Sequence, residues 1–331
     1  MTTLNKNKVK NSPEVSKEVK SFDLRKTAGI FNNLTILISK SFFRNPRGPI
    51  FMFVVPVLFA LMFFFIMGNK FAGHSSLIAY TLIPALTILT SLAPAIVEWK
   101  NSVFLKRIDT TGIKKSMFLA ALWGFYLVMG ILSFFFMLLV VMGIGAIAEP
   151  ALELPSTEGI IGADALAKAS IFKILKEANW AMMLFSMILV TLTSIAIATF
   201  LGGLFNSEGA IQGIVFLIYF FSIFMAGVLL PPNMLVKSQG LMFVTYIIPF
   251  KFSIYLFLFA TQGAIVANAV PGASGWDAPF NKHVEYTVGG NSESFNGMDF
   301  TATWQPVLVA ILLIAALFVV TSFTFKWSAK K

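Results

Sequence analysis

Residues that could carry out catalysis or bind a metal are scarce in this sequence. The 331 residues include no cysteine and two histidines, His74 and His283, which lie far apart in polar connections. Thiolate chemistry, disulfides and cysteine-based metal sites are therefore excluded. Near the ends of the apolar runs, Glu98 and Asp109 are too few carboxylates for a metal site. The sequence predicts no metal centre and no catalytic residue.

Two short motifs approach enzyme patterns without completing them. Residues 68–75 (GNKFAGHS) have the glycine spacing of a phosphate-binding loop, but His74 stands where that loop needs a lysine, and no strand precedes it. Residues 272–275 (GASG) resemble a serine-hydrolase turn, but the apolar runs contain no histidine or aspartate to activate a serine. We therefore predict that this chain is not an enzyme and does not hydrolyse ATP by itself.

Charged residues within the apolar runs are also few. Glu98 lies at the end of one run, and Lys251 lies near the middle of another. Carriers driven by ion gradients use buried ionisable groups, such as pairs or chains of carboxylates. The runs contain no carboxylate pair and no chain of carboxylates, which argues against a proton- or sodium-coupled carrier.

One charged segment, residues 98–113 (EWKNSVFLKRIDTTGI), joins two apolar runs. Drawn as a helix, it places three apolar residues within an arc of about 100°: Phe104, Leu105 and Ile108. Its basic residues off that arc are Lys100, Lys106 and Arg107. From the pattern alone, two interpretations stay open: a plain basic loop, or a short helix that inserts into a cleft on a partner protein.

The composition of the chain indicates that these residues are positioned by membrane-spanning helices. Apolar residues make up 57% of the chain and charged residues 12%, and the mean hydropathy is +0.82. Soluble domains carry about 25% charged residues, and about 20 apolar residues suffice to cross a bilayer. We predict an all-α polytopic membrane protein with six transmembrane helices, at about 49–68, 76–97, 117–145, 180–204, 210–230 and 306–326.

The N-terminal part divides into two segments before the membrane domain of residues 47–331. Residues 1–21 are polar and are expected to form a disordered basic tail. Residues 22–46 are predicted to form an amphipathic helix in the membrane interface, ended by Pro46. The residues assigned to this interfacial helix are Phe31, Leu34, Ile38, Phe42 and Arg44.

The apolar run at 241–262 is ambiguous because it contains Pro249 and Lys251. If it does not cross, the segments expected inside carry 18 Lys and Arg residues and the outside segments carry 7. Cytoplasmic loops are enriched in these residues, which predicts a cell-membrane protein with both termini cytoplasmic. The net charge of +10 then faces anionic lipid headgroups, and no nucleic-acid partner is expected.

The order of these elements resembles that of the permease subunit of type-2 ABC transporters, which are mostly exporters. The resemblance covers about residues 25–327. Four stretches carry it: 42–66 (FFRNPRGPIFMFVVPVLFALMFFFI), 97–112 (VEWKNSVFLKRIDTTG), 227–235 (GVLLPPNML) and 246–253 (YIIPFKFS). The sequence departs from the family pattern at Trp99, at Val103 and Phe104, and at Gly112, where the family has proline.

The resemblance implies partners and roles for these segments. A separate ABC ATPase subunit, which holds ATP and Mg, would dock on a cytoplasmic coupling helix at about 98–113 and contact the interfacial helix. The residues assigned to coupling are Glu98, Lys100, Phe104, Leu105, Lys106, Arg107 and Ile108. A second permease copy or a similar permease would complete the pathway, and re-entrant helices would close its outer side. The residues assigned to that gate are Pro231, Pro232, Pro249, Phe250 and Lys251.

The resulting hypothesis is an ATP-driven exporter permease that works by alternating access. Its spans are rich in phenylalanine and nearly uncharged, which suits a lipid, a lipid-linked glycan or an amphiphilic, drug-like substrate. The outer segments 146–179 and 263–305, the second of which belongs to the re-entrant and outer segment 231–305, could meet that substrate or an extracytoplasmic partner, or simply cover the bundle. Two alternatives remain: a secondary carrier or channel without an ATPase, and a non-transporting membrane assembly protein. A lipid-modifying enzyme is disfavoured by the lack of suitable motifs.

Overall fold

The computed structural model of the protein describes residues 24–148, 163–230, 232, 235, 239–269, 284–288, 291–295 and 302–324. The helices are α1 (Leu24–Arg44), α2 (Arg47–Pro49), α3 (Val55–Ala79), α4 (Ile83–Asn101), α5 (Val103–Thr110), α6 (Lys115–Ile147), α7 (Ala163–Lys168), α8 (Ile171–Glu177), α9 (Trp180–Leu204), α10 (Glu208–Met225), α11 (Gln239–Tyr246), α12 (Lys251–Ala269) and α13 (Trp304–Thr324). A π-helical turn (Ile50–Val54) precedes α3, and a 3-10 turn (Tyr80–Leu82) precedes α4. Two short antiparallel strands, β1 (Val284–Val288) and β2 (Asn291–Phe295), form a hairpin.

Within the described residues, seven helical stretches are long and apolar enough to cross a membrane. Six of them overlap the predicted spans: Arg47–Ile66, His74–Asn101, Lys115–Ile147, Trp180–Leu204, Glu208–Met225 and Trp304–Thr324. The seventh, Lys251–Ala269, falls on the ambiguous run. The structure therefore confirms a helical polytopic membrane protein, to which the small β1–β2 hairpin is an addition.

The first two spans lie side by side. Residues 69–75, which were predicted to connect them, are helical and belong to α3. The chain nevertheless reverses direction before α4, since the Asn45 Nδ2 atom donates to the Glu98 Oε2 atom at 3.4 Å. We call the end of the bundle that carries Asn45 and Glu98 the basic end, and the opposite end the His74 end.

Helix α4 occupies the centre of the bundle. The most apolar 18-residue window of His74–Asn101 is entirely buried, whereas the corresponding windows of Arg47–Ile66, Glu208–Met225 and Trp304–Thr324 are 22%, 28% and 11% buried. Helix α4 packs mainly on α9 and α10. Its contact with α9 is close because Gly202 lies there: a Cβ atom on Gly202 would stand 2.9 Å from the Ile96 Cβ atom. Any movement of α4 must therefore involve α9.

Helices α11 and α12 form a hairpin that starts from the His74 end. The Asn179 amide donates to the Ala260 carbonyl at 2.8 Å, and the Gln262 side chain donates to the Ser75 carbonyl at 3.0 Å. The middle of α12 thus lies level with Ser75, near the end of α3, and with the start of α9. At 1.5 Å per residue, Lys251 lies about 14 Å below that level, near mid-depth. Although α12 is long enough to cross, this placement favours the predicted re-entrant pair.

A cover of short helices closes the His74 end. Helices α7 and α8 pack on α3 and α12, and the Ile171 amide donates to the His74 Nδ1 atom at 3.0 Å. His74 is buried within helical structure, so the glycine-spaced stretch 68–75 is not a phosphate-binding loop. The N-terminal tail, residues 149–162, the GASG stretch and Pro231 lie outside the described residues.

Candidate functional site

The segment 98–113 contains a short helix, α5, with defined ends. The Ser102 Oγ atom accepts from the Phe104 amide at 3.1 Å and donates to the Trp99 carbonyl at 2.9 Å, which separates α5 from α4. After α5, the Thr111 hydroxyl donates to the Ile108 carbonyl. Gly112 follows with φ of +71°, a conformation that favours glycine and ends a helix. Of the two interpretations that the pattern left open, the short helix is therefore present. Proline, whose φ is locked at about −65°, could not replace Gly112 in this conformation.

The apolar face of α5 turns toward its own chain. Leu105 is fully buried and Ile108 is 5% exposed, whereas Val103 is 59% exposed. Phe104 is half-buried, with its ring centroid 5.5 Å from that of Trp99. This differs from the expectation that Phe104, Leu105 and Ile108 all enter a partner's cleft, because the segment folds back beneath the helical bundle and uses this face to pack there.

The exposed side of α5 is basic, unlike the apolar side that packs on the bundle. Lys106 and Arg107 lie on the exposed side of the helix, next to Val103. Their exposure leaves both basic side chains accessible to a partner. The surface that α5 offers to a partner is thus mainly basic, with Val103 as its most exposed apolar residue.

Lys100 is buried rather than presented on the surface. Its Nζ atom donates to the carbonyls of Gly202, Gly203 and Phe205 at 3.1, 2.8 and 2.8 Å. The C-terminus of a helix has unpaired carbonyls and a partial negative charge, so a lysine there is favourable. This corrects the expectation that Lys100 meets acidic groups of a partner: it ties the end of α4 to the end of α9.

The end of α4 is also attached to α1 and to the turn that follows it. Glu98 is exposed and accepts from Asn45, and the Trp99 Nε1 atom donates to the Ser41 Oγ atom at 3.1 Å. Sequence patterns did not predict the Trp99–Ser41 pair, because its two members are distant in the chain and belong to different elements.

Helix α1 packs on α6 through its predicted apolar stripe. Leu34, Ile38 and Phe42 are 4%, 0% and 4% exposed, and the Phe42 ring meets Phe125 at a centroid distance of 5.5 Å. Phe31 stands at the edge of this stripe, 39% exposed. Arg44, in the last turn of α1, is exposed.

Between α1 and α5 lies a groove of about 650 Å³ at the basic end, which we call the α1–α5 groove. Its walls are mostly apolar, with Arg107 on the α5 side. The residues that line it are Ile30, Asn33, Leu34, Leu37, Ser102, Val103, Phe104, Arg107, Ile108, Thr111 and Ile113. The two helices expected to contact a partner thus form one continuous concave surface.

At the turn of the α11–α12 hairpin, Lys251 is fully buried. Its Nζ atom donates to the Thr245 Oγ1 atom at 2.6 Å and lies 3.5 Å from the centroid of the Tyr246 ring and 5.1 Å from that of Tyr255. The lysine therefore joins both arms of the hairpin. Phe250 beside it is also fully buried, whereas Pro249 is half-buried in the turn.

The entry to this hairpin packs closely on α12. Gly227 has φ of +90°, and a Cβ atom there would stand 3.0 Å from the Pro232 Cγ atom and 3.3 Å from the Tyr255 Cε1 atom. The structure therefore brings four predicted gate residues onto one hairpin and its entry: Pro232, Pro249, Phe250 and Lys251.

A comparison of the sequence with protein families identifies the family to which this helical bundle belongs. Residues 74–324 match the model of the family described as "ABC-2 family transporter protein". The chain belongs to the ABC-2 transporter family. It is the membrane permease subunit of an ABC transporter, and such subunits are transport components that generally lack catalytic activity. Comparisons with curated proteins and with solved structures gave no match.

For this permease, the family implies an ABC ATPase partner and, typically, a dimer. The matched region begins at His74, so it includes α4, α5 and the α11–α12 hairpin but not α1. The association of α1 with the site therefore depends on the contacts described above: its packing on α6, the Trp99–Ser41 pair and the α1–α5 groove.

Proposed function

We propose that this permease is the membrane half of an ATP-driven exporter, powered by a separate ATPase subunit that docks in the α1–α5 groove. The groove carries the proposal, because it joins the two helices that the family resemblance assigns to the ATPase contact. Apolar walls supply affinity, while the exposed basic side chains of Lys106 and Arg107 orient an acidic partner surface. ATP and Mg would bind to that partner subunit.

The attachment of α5 to the bundle supports a lever-like mechanism. A push on α5 reaches α4 through the buried Leu105 and through the contact between the Phe104 and Trp99 rings, whose planes are tilted by 37°. Lys100 passes the same displacement to the end of α9. Because α4 is central and packs on both α9 and α10, its tilt would change the pathway along the whole bundle. Alternating access follows when the ATPase subunits close and reopen.

A second permease copy would pack on the weakly buried pair α3 and α10. Aromatic rings join these two helices, with the centroids of Phe63 and Phe224 5.6 Å apart. On the outer side of α10, Cβ atoms at Gly209 and Gly213 would meet nothing within 4 Å. Small residues four apart allow two membrane helices to approach closely. The pathway would then run along the seam between the two copies.

The charge distribution of the permease bears on its orientation in the membrane and on the class of its substrate. The basic end carries α5 and Lys114, so we place it in the cytoplasm, with both termini on that side of the cell membrane. Outward transport, past the α11–α12 hairpin, is what the resemblance to exporters implies. The nearly uncharged, phenylalanine-rich spans favour a lipid, a lipid-linked glycan or an amphiphilic, drug-like molecule.

The test is co-purification of the tagged full chain in mild detergent, followed by mass spectrometry and an ATPase assay. We expect an ABC ATPase with the wild type, and its loss with Val103→Asp or Arg107→Glu, which change exposed groove residues. Lys114→Glu is the control, since Lys114 is also an exposed basic residue of this end but does not line the groove. An ATPase that stays bound to both groove variants would refute the docking site. Absence of any ATPase would favour a carrier or an assembly protein.

A further inference from the structure

A second cavity, of about 550 Å³, lies on the other side of Phe104 from the α1–α5 groove. It is enclosed by the C-terminal part of α1, the turn before α3 and the end of α4. We call it the α1–α4 cavity. Glu98 and Phe104 among its lining residues were assigned to ATPase coupling, and Phe42 and Arg44 to the interfacial helix, but none of the roles proposed above gives the cavity a ligand of its own.

Charge is concentrated on the walls of this cavity. Lys40, Arg44 and Arg47 line it together with one carboxylate, Glu98, and all four residues are exposed. The Asn45 amide already donates to Glu98 at 3.4 Å. The walls therefore carry a net charge of about two positive units. Arginine side chains bind phosphate through paired, charge-assisted hydrogen bonds.

The inner part of the cavity is lined by small and aromatic side chains. Ser91 and Ala95 line it on α4, and Ser91 is seven residues from Glu98, which corresponds to about 10 Å along the helix. The buried rings of Phe42 and Tyr126 line the same part. The cavity thus joins a cationic wall to an apolar interior.

An apolar surface continues outside the cavity on α1. Ile36, Leu37 and Phe43 are 45%, 42% and 59% exposed. Leu37 also lines the cavity. A ligand with a negatively charged head and a hydrocarbon tail could therefore occupy the cavity with its head and follow α1 with its tail.

We propose that the α1–α4 cavity binds the phosphate headgroup of an anionic lipid from the adjoining leaflet. A soluble phosphate would gain nothing from the apolar interior, and a neutral amphiphile would gain nothing from the two arginines. The assignment uses the proposed function in one respect, the orientation that makes this the cytoplasmic leaflet. Phe104 and Leu37 line both the cavity and the α1–α5 groove, so the lipid would sit directly beside the ATPase site.

The experiment is native mass spectrometry of the purified full chain, without ATPase, in detergent containing chain-matched phosphatidate and phosphatidylcholine. Wild type is expected to retain phosphatidate selectively. Arg44→Gln with Arg47→Gln should lower this retention about tenfold or more, because charged hydrogen bonds are lost. Arg44→Lys with Arg47→Lys should restore part of it. Lys114→Gln, the matched charge loss outside the cavity, should retain the wild-type level.

Several outcomes would overturn the assignment. Equal retention of both lipids, or unchanged phosphatidate retention in the double glutamine variant, would show that the arginines do not select a phosphate. Displacement of phosphatidate by glycerol 3-phosphate at equal concentration would show that the site takes a free phosphate and not a lipid. A thermal unfolding scan of each variant separates loss of the ligand from loss of the fold. Because the ATPase is absent, failure here leaves the exporter proposal untouched, and the reverse also holds.

Discussion

The Nζ atom of Lys100 lies 2.8 Å from the carbonyl oxygen of Gly203, so a lysine near the end of the central helix α4 caps the C-terminus of α9. The same ammonium reaches the carbonyls of Gly202 and Phe205. One side chain thus attaches the segment expected to receive the ATPase stroke to a second membrane helix. Lys100, which the sequence pattern assigned to a contact with the partner, thus connects two helices of the permease itself.

Substitution of Lys100 should affect both the stability of the permease and the coupling of ATP hydrolysis to transport, and the two effects can be measured separately. We expect Lys100→Met to lower the free energy of unfolding by about 1–3 kcal/mol, because buried carbonyls lose their partner. ATP hydrolysis by the bound ATPase should persist while its stimulation by transport substrate falls. Thermal unfolding in detergent and ATPase assays of the reconstituted complex measure the two effects. Lys114→Met is the matched control, since Lys114 is exposed. Full substrate stimulation in Lys100→Met would contradict the role of Lys100 as a connection between the two helices.

Close packing of α4 on α9 gives a second prediction. A methyl group at Gly202 would stand 2.9 Å from the Ile96 Cβ atom and 3.1 Å from the Ala93 carbonyl oxygen. Gly202→Ala should therefore destabilise the permease by about 1–3 kcal/mol through overpacking. Gly143→Ala on α6 is the control, because a Cβ atom there meets nothing within 4 Å. Thermal unfolding of both variants provides the measurement, and equal midpoints would show that the helices can separate at no cost.

The absence of cysteine from the chain makes topology directly testable. A single cysteine introduced at Lys114 or Lys330 should react with a membrane-impermeant maleimide only after permeabilisation of cells. One introduced at Lys173, on the exposed surface of α8, should react in intact cells. If α12 crossed the membrane as a seventh span, Lys330 would react from the same side as Lys173. Labelling of Lys114 in intact cells would reverse the proposed orientation.

Each of the six predicted spans overlaps a helix of the structure because each is a long apolar run, and burial of a helix in lipid needs little else. Leu34, Ile38 and Phe42 were predictable for a related reason: helical spacing places them on one face, which the structure buries. Pro249 and Lys251, residues that a lipid-facing span rarely contains, set the run 241–262 apart from the others. The re-entrant pair itself stays a prediction, because α12 is long enough to cross a membrane.

Sequence patterns did not predict which surface of a segment faces the protein. The apolar arc of α5 was assigned to a partner, whereas Leu105 and Ile108 pack within the chain. Helical spacing defines a face but not the direction in which the whole helix lies. Likewise, the sequence around Lys100 suggests a surface charge. Its acceptors are the carbonyls of Gly202, Gly203 and Phe205, which lie about a hundred positions later in the chain. Backbone carbonyls have no signature in a sequence.

The buried lysine of the hairpin supplies the last prediction. Lys251 lies 3.5 Å above the Tyr246 ring, and a cation over a desolvated aromatic face is stabilised by about 2 kcal/mol. Tyr246→Leu removes that face and should destabilise the hairpin, whereas Tyr246→Phe keeps it and should be milder. Lys251→Met removes the charge itself. In the Lys251→Met background, Tyr246→Leu should therefore lower the stability less than it does in the wild type. Thermal unfolding of the four variants in detergent gives this double-mutant cycle. Additive losses would mean that the ring and the ammonium do not interact, and that Lys251 is held in the hairpin mainly by Thr245.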